Sequence, residues 1–373
     1  MKQSPVSILF VTTRFDDAAV SNILCDLFPA LQRAGFAPAV WALEPAPREG
    51  VSHRRAAAAG VPVHELPPGP KWNLARGVRA LRRFVRQHRP ALIHSHLGRA
   101  DIVAALARPA EIPLVSTLHN VIDNFSRATR LGFLLTDSRV TVRTGVSRAC
   151  ITSMYDNWRL KSAHRVIYNP IDPARLEVAR SREQVLSGLS IPPDRRVVLA
   201  AGRVIPMKGH RYLIQAMPEI LRAAPDGAVV IAGEGPEREA LLALARDLGV
   251  ESALRMPGFT PGLPDLIAAA DVVAMPSLWE GLGLVPIEAM LLRRPVVASA
   301  LPPIMEYIDH EVEGLLVPPA DPSALATAIL RTLQQPAENA ARISAAHARV
   351  THQFNLEHIT AQYVDLYREL LAR

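Results

Sequence analysis

Short apolar runs alternate with amphipathic helical patterns along the whole chain, and this alternation constrains the fold more than any other feature. In the first half the runs are Ser7–Thr12, Pro38–Ala42, Val61–Leu66, Ala91–His94, Leu114–Leu118, Val140–Val146 and Val166–Tyr168. Helical stretches such as Ala18–Ala34, Leu74–His88 and Arg99–Arg108 lie between them. Pro-rich breaks follow at NPIDPARL (169–176) and SIPPDRR (190–196), and then the same grammar restarts. The second set of runs is Val197–Ala201, Ala228–Ala232, Ala253–Met256, Val272–Met275, Val296–Ala298 and Leu315–Val317. Helical patterns cover His210–Ala223, Glu237–Leu248, Leu263–Ala269, Val285–Leu292, Pro322–Gln334 and Ala337–Arg349. Leu356, Ile359, Tyr363, Leu366, Tyr367 and Leu370 then recur at helical spacing. Strands that alternate with helices build parallel sheets covered on both faces. The expectation is two doubly wound, Rossmann-like α/β domains in tandem, with a boundary between about 170 and 192. Ligands of such sheets lie outside the carboxyl ends of the strands, so the expected site is a cleft between the domains.

Composition narrows the class. Of 373 residues 49% are hydrophobic and 21% charged, as in globular proteins with real cores. No stretch approaches the roughly 20 apolar residues that span a bilayer, and VSILFV (6–11) is too short for a secretory apolar region. Cys25 and Cys150 form neither a disulfide framework nor metal-ligand spacing, which fits a reducing cytoplasm. Charge is uneven. Residues 1–170 carry 23 Lys and Arg against 11 Asp and Glu, whereas residues 171–373 carry 19 against 24. A basic half can meet nucleic acid, an anionic membrane or an acidic substrate, or simply be a solvated Arg-rich surface. Aromatics are only 5% and interleave no arginine cluster, so nucleic acid is not expected. The stretch KWNLARGVRALRRFVRQHRP (71–90) is a basic amphipathic helix with Leu74, Val78, Leu81 and Val85 as its apolar stripe. It fits two readings: a core-packed helix with a solvated Arg76–Arg89 face, or peripheral docking on the anionic inner membrane face.

Only four residues of the chain are lysine, against 38 arginines, and one of the four is Lys208 in AAGRVIPMKGH (200–210). Arg203 and Lys208 lie in the loop after a buried strand, next to Gly202 and Gly209. The pair fits either a solvated loop or a clamp on a diphosphate, Arg by its bidentate fork and Lys as a point charge. VVIAGEGPERE (229–239) places Gly233 and Gly235 after a strand without the third glycine of a dinucleotide fingerprint. In PSLWEGLGLVPIEAMLL (276–292) Glu280 precedes a helix that opens near Gly283 and Leu284, where free N–H groups attract phosphate or sugar oxygens. Glu288 sits in an apolar helix and needs a partner. Carboxylates accept hydrogen bonds from hydroxyls, so Glu280 and Glu288 suit a sugar and a ribose. His94, His96 and His119 lie at strand ends, but no carboxylate accompanies them as a further metal ligand, so no metal site is expected.

The order GR…KG, AGEGP and EGLGLVPIEAM, with its E-x7-E element at Glu280 and Glu288, resembles the C-terminal half of the retaining glycosyltransferases of family 4, which have the GT-B architecture. STLHN (116–120), TGVSRA (144–149) and NPID (169–172) resemble family elements of the N-terminal half. The resemblance implies an acceptor-binding domain at 1–170, joined by a returning C-terminal helix at about 355–373, and a nucleotide-sugar-binding domain at 171–354. It implies that Arg203 and Lys208 hold the donor diphosphate, that Glu288 binds ribose hydroxyls, and that Glu280 contacts the transferred sugar beside the amides of Gly283 and Leu284. His119 would lie near the reacting face of the sugar, and Gly233 and Gly235 would border the donor. The co-substrate would be a nucleotide diphosphate sugar, with no metal and no other cofactor. The acceptor would be a sugar, a lipid-linked acceptor or a cell-surface glycan precursor. One loop departs from the family: TTRFDDAAVSN (12–22) has no glycine, and Asp16 and Asp17 stand where small residues would admit a phosphate or an acceptor. Two other functions share these features, a nucleotide-sugar epimerase of the same architecture and a non-catalytic sugar-nucleotide-binding relative.

Overall fold

A computed structural model describes residues 4–70, 73–122, 125–158 and 160–373. Lys71, where the basic stretch begins, lies outside the described residues. The chain forms two compact units, one of residues 1–171 and 354–373 and one of residues 172–353.

The first unit is built on β1 (Val6–Arg14), β2 (Phe36–Glu44), β3 (Val63–Glu65), β4 (Leu92–His96), β5 (Leu114–Leu118), β6 (Val142–Gly145) and β7 (Ala163–Val166). They form one sheet in the order β3-β2-β1-β4-β5-β6-β7, and every pairing is parallel. β1 is central. Its Phe10 stands opposite Val40 of β2 and His94 of β4, and Ile8 to Val11 are buried. Such strands are apolar on both sides because helices cover both faces. β7 begins three residues before the apolar run Val166–Tyr168 and shares only Val166 with it. At the sheet edge only one flank pairs, and the exposed Ala163-His164-Arg165 can serve as strand. Helices Val51–Ala58, Arg127–Thr136 and Arg148–Trp158 add to those the periodicity predicts. Helix Leu356–Leu371, capped by Asn355, buries Tyr363 and Tyr367 in this unit. The Tyr367 hydroxyl lies 2.6 Å from His94 Nδ1, and its ring meets Phe36 edge-on at 5.7 Å.

The second unit repeats the plan with β8 (Arg196–Ala201), β9 (Gly227–Ala232), β10 (Leu254–Gly258), β11 (Val272–Met275), β12 (Val296–Ser299) and β13 (Leu315–Val317), ordered β10-β9-β8-β11-β12-β13 and all parallel. Its core joins Val198, Val229 and Val272 of the sheet to Leu213, Met217 and Ile329 of the covering helices. Helix starts are capped as the side chains allow: Ser181 and Gln184 form a capping box, and Asp321 accepts from the Ala324 amide. In both sheets the order reverses beside the first strand, at β1/β4 and at β8/β11. Those are the switch points where loops diverge and leave room for a ligand.

Candidate active site

In the second unit three loops meet beyond the carboxyl ends of β8, β9 and β11. After β8 the chain passes Gly202 and Arg203, makes one 3-10 turn at Pro206–Lys208, and enters helix His210–Ala223 through Gly209. The loop after β9 lies directly against it. A Cβ on Gly233 would fall 1.9 Å from the Gly202 carbonyl oxygen, and one on Gly235 would fall 2.1 Å from that of Val204. The Val204 amide donates to Glu234 O at 2.8 Å. The two glycines therefore admit neighbouring backbone and so fix the Arg203 loop. On the other side the Leu278 amide donates to Met207 O at 2.8 Å, tying the β11 loop to the same turn.

This packing brings Lys208 to Glu280. Lys208 Nζ lies 2.6 Å from Glu280 Oε1, which also accepts from Ser277 Oγ at 2.8 Å. The side chains are only 17% and 7% exposed, so a largely desolvated ion pair stands at the strand ends. Arg203 is exposed, and among the described residues no ion pair holds its guanidinium. Three residues beyond Glu280, the chain reaches Gly283 at φ 81°, and helix Leu284–Leu291 begins with no side-chain cap. The start of that helix is held by Tyr307, fully buried, whose hydroxyl donates to Gly283 O at 2.9 Å. Burial first, then the carboxylates of Glu280 and Glu306, push the Tyr307 phenol well above its usual pKa, so it stays a donor. Glu288, one turn inside the helix, finds the partner its apolar surroundings demand in Arg175, 3.5 Å away.

Tyr307, Arg175, Ser277 and His210 escaped the reading of the sequence. His210 had a local signal, since it follows Lys208 and Gly209 directly. It is 2% exposed, and burial with the adjacent Lys208 charge lowers its pKa to about 4, so it is neutral. Arg175 and Tyr307 are far from their partners in sequence and carry no pattern of their own.

The first unit places His119 just past β5. Its Nε2 is 2.9 Å from His96 Nδ1, so these nitrogens share one hydrogen bond. His94 Nε2 meets Thr117 Oγ1 at 2.6 Å. Burial holds His119 near 4 and, with the neighbouring His119 charge, His94 near 3, so the cluster is neutral. Among the described residues no group of three His, Cys, Asp or Glu is placed to hold a metal ion. The glycine-free first loop is tied down locally. Asp17 Oδ1 accepts from the Ser52 amide at 2.8 Å, and Asp16 Oδ1 from the Ala18 amide at 3.2 Å. Both aspartates serve the starts of helices, Val51–Ala58 and Ala19–Arg33.

Two doubly wound sheets with a cationic loop and an uncapped helix start beside an E-x7-E pair define a GT-B-type α/β protein. The chain belongs to the glycosyltransferases of group 1 and family 4. The family model described as "Glycosyl transferases group 1" matches residues 181–349, and that described as "Glycosyltransferase Family 4" matches residues 20–175. An α-D-kanosaminyltransferase of Streptomyces kanamyceticus is 30% identical over 317 residues, covering 78% of this chain and 80% of that protein. The uncharacterized glycosyltransferase MJ1607 of Methanocaldococcus jannaschii is 34% identical over 209 residues. That match spans about half of each chain, 55% of this one and 53% of the relative. Among solved structures, Anabaena Alr3699/HepE in complex with UDP-glucose superposes with a TM-score of 0.86 at 26% identity. It covers 97% of this chain and 99% of that one.

Proposed function

We propose that this chain moves a sugar from a nucleotide diphosphate sugar to an acceptor with retention of anomeric configuration and without a divalent metal. The observation that carries the reading is the Lys208–Glu280 pair beside the uncapped start of helix Leu284–Leu291, with Arg203 exposed alongside. A departing nucleoside diphosphate gathers negative charge, and fixed cations with a helix terminus stabilise it where it forms. Lys208 and Arg203 grip the diphosphate. Glu280, released from part of its pairing, accepts hydrogen bonds from the sugar hydroxyls. Glu288, oriented by Arg175, takes the ribose hydroxyls. The bond from the anomeric carbon to the phosphate oxygen breaks as the acceptor oxygen attacks the same face, and the leaving phosphate takes the acceptor's proton. No enzymic nucleophile is needed. His119, neutral and hydrogen-bonded to His96, serves as a hydrogen-bonding group toward the sugar rather than as a cation. The UDP-glucose complex of the HepE relative supports a uridine diphosphate sugar as donor.

The test is a panel of nucleoside diphosphates read by thermal shift, with and without a chelator, followed by assignment of the product anomer by NMR. One diphosphate, UDP first, is expected to raise the melting temperature equally in both buffers. Shifts with none of them, or an inverted product, would overturn the reading.

A further inference from the structure

Helix Arg127–Thr136 of the first unit turns its leucines outward. Phe133 and Gly132 face inward. Phe133 is 1% exposed and packs 5.1 Å beneath the Arg143 guanidinium, and a Cβ on Gly132 would meet Ile102 Cδ1 at 2.3 Å. Leu131, Leu134 and Leu135 share the opposite face with Arg127 and are 55%, 38% and 72% exposed. The only charged residues of the helix are Arg127 and Arg130. A surface helix ordinarily buries its apolar stripe, and a contiguous apolar patch left in water marks a surface that meets something.

The neighbouring helices define what it meets. Helix Gly98–Ala107 lies between this helix and Leu74–His88. Its last carbonyls are taken by Arg82 from one side, Nη2 to Leu106 O at 2.8 Å, and by Arg139 from the other, Nε to Ala105 O at 2.7 Å. The three helices thus form one layer. Helix Leu74–His88 exposes Arg79, Arg82, Arg83 and Arg86 and contains no acidic residue. Its own apolar residues are spent on the core, with Leu81 and Val85 buried and Leu74, Val78 and Phe84 packed against them. It brings charge without an anchor, and Arg127–Thr136 brings the anchor.

We infer that the outer face of this layer docks on an anionic lipid bilayer, with Leu131, Leu134 and Leu135 entering the headgroup region. Leucines rimmed by arginine, with no acid on either helix, are the composition of an interfacial helix. A second copy of the chain is a poor occupant. A two-fold interface would set Arg127 and Arg130 against their own copies, and three leucines fall far short of the roughly 800 Å² per partner that a stable contact buries. The inference stands without the transfer reading, because docking is measured without a sugar donor.

The experiment is flotation of the full chain with phosphatidylglycerol vesicles and with phosphatidylcholine vesicles. Binding to the first and not to the second is expected. Leu131→Ser with Leu135→Ser should lower the partition about tenfold or more at unchanged melting temperature, because both residues are exposed. Arg79→Ala with Arg83→Ala should weaken binding mainly at low salt. A Leu135→Trp probe should shift its fluorescence to the blue on phosphatidylglycerol alone. Equal binding by the leucine variant and the wild type overturns the inference. So does an unshifted probe, or a leucine variant that splits a dimer in sedimentation while vesicles capture neither form.

Discussion

Replacing Lys208 by methionine tests the centre of the proposed donor site through stability alone. Methionine keeps most of the apolar stem, so the change is chiefly the loss of a cation 2.6 Å from Glu280 Oε1. Glu280, 7% exposed on its side chain, would then keep the Ser277 hydroxyl as its one side-chain partner from that cluster. Stranding one member of a buried pair costs about 3–5 kcal/mol. Lys208 is 17% exposed, so screening places the expectation at about 2–3 kcal/mol. For a unit of this size that is a fall of roughly 8 °C in melting temperature. Adding Glu280→Gln removes the stranded charge, and the double variant should recover about half of the loss. UDP should raise the melting temperature of the wild type and hardly move Lys208→Met, because the phosphates lose their point charge. Differential scanning calorimetry at low salt, on the four proteins of the cycle with and without UDP, reads all of this. A Lys208→Met variant that melts within about 1 °C of wild type, or a double variant no better than the single, would refute the argument that Glu280 depends on Lys208.

Gly233→Ala should cost at least about 2 kcal/mol, since it forces a side chain at φ 150° and sets a Cβ 1.9 Å from backbone. Gly188→Ala, which would meet nothing within 4 Å, is the control in the same denaturant titration. Asp101 is buried, and burial raises its pKa to about 6, against the opposing hydrogen bond from Ser95. Its folded pKa lies above the unfolded value, so its contribution is full below pH 3.8 and lost as pH rises through 6. Between pH 4 and 8, Asp101→Asn should gain up to about 3 kcal/mol on the wild type in urea unfolding curves. His94 and His119 have the opposite sign. Their pKa values fall to about 3 and about 4, so their contribution is full above pH 6.5 and lost as pH falls toward 4, where unfolding should take up protons steeply. Asp17→Ala should cost about 1 kcal/mol through the start of helix Val51–Ala58, with turnover unchanged once stability is allowed for; a larger loss of turnover would mean that Asp17 touches the acceptor.

The sheets were legible because most core strands are short apolar runs closed by Gly, Pro or a polar loop; β4 and β6, with buried His94, His96 and Arg143, were found from their apolar flanks. Val272–Met275 and Leu315–Val317 need no tertiary information to be seen. Ala163–Val166 was not legible in place, because an edge strand can be polar and the nearby apolar run drew the reading forward. Helix Arg127–Thr136 was hidden for a related reason: its leucines face water, so its periodicity does not mark a core. At the site, the need for glycine at 233 and 235 could be read, but that Gly202 and Val204 are what approach them is a tertiary fact. The demand of Glu288 for a partner could be read too. That Arg175, more than a hundred residues earlier, answers it could not.

The first unit is interrupted. Residues 172–353 come between its sheet and the helix Leu356–Leu371 that covers His94 and Phe36 with Tyr367. A ribosome therefore delivers the whole second unit before it delivers the piece that closes the first. During that interval the earlier sheet waits with a wet, uncovered flank, and such exposed apolar surface is what chaperones bind. A nascent chain halted at residue 353 would carry its later half finished and its earlier half open.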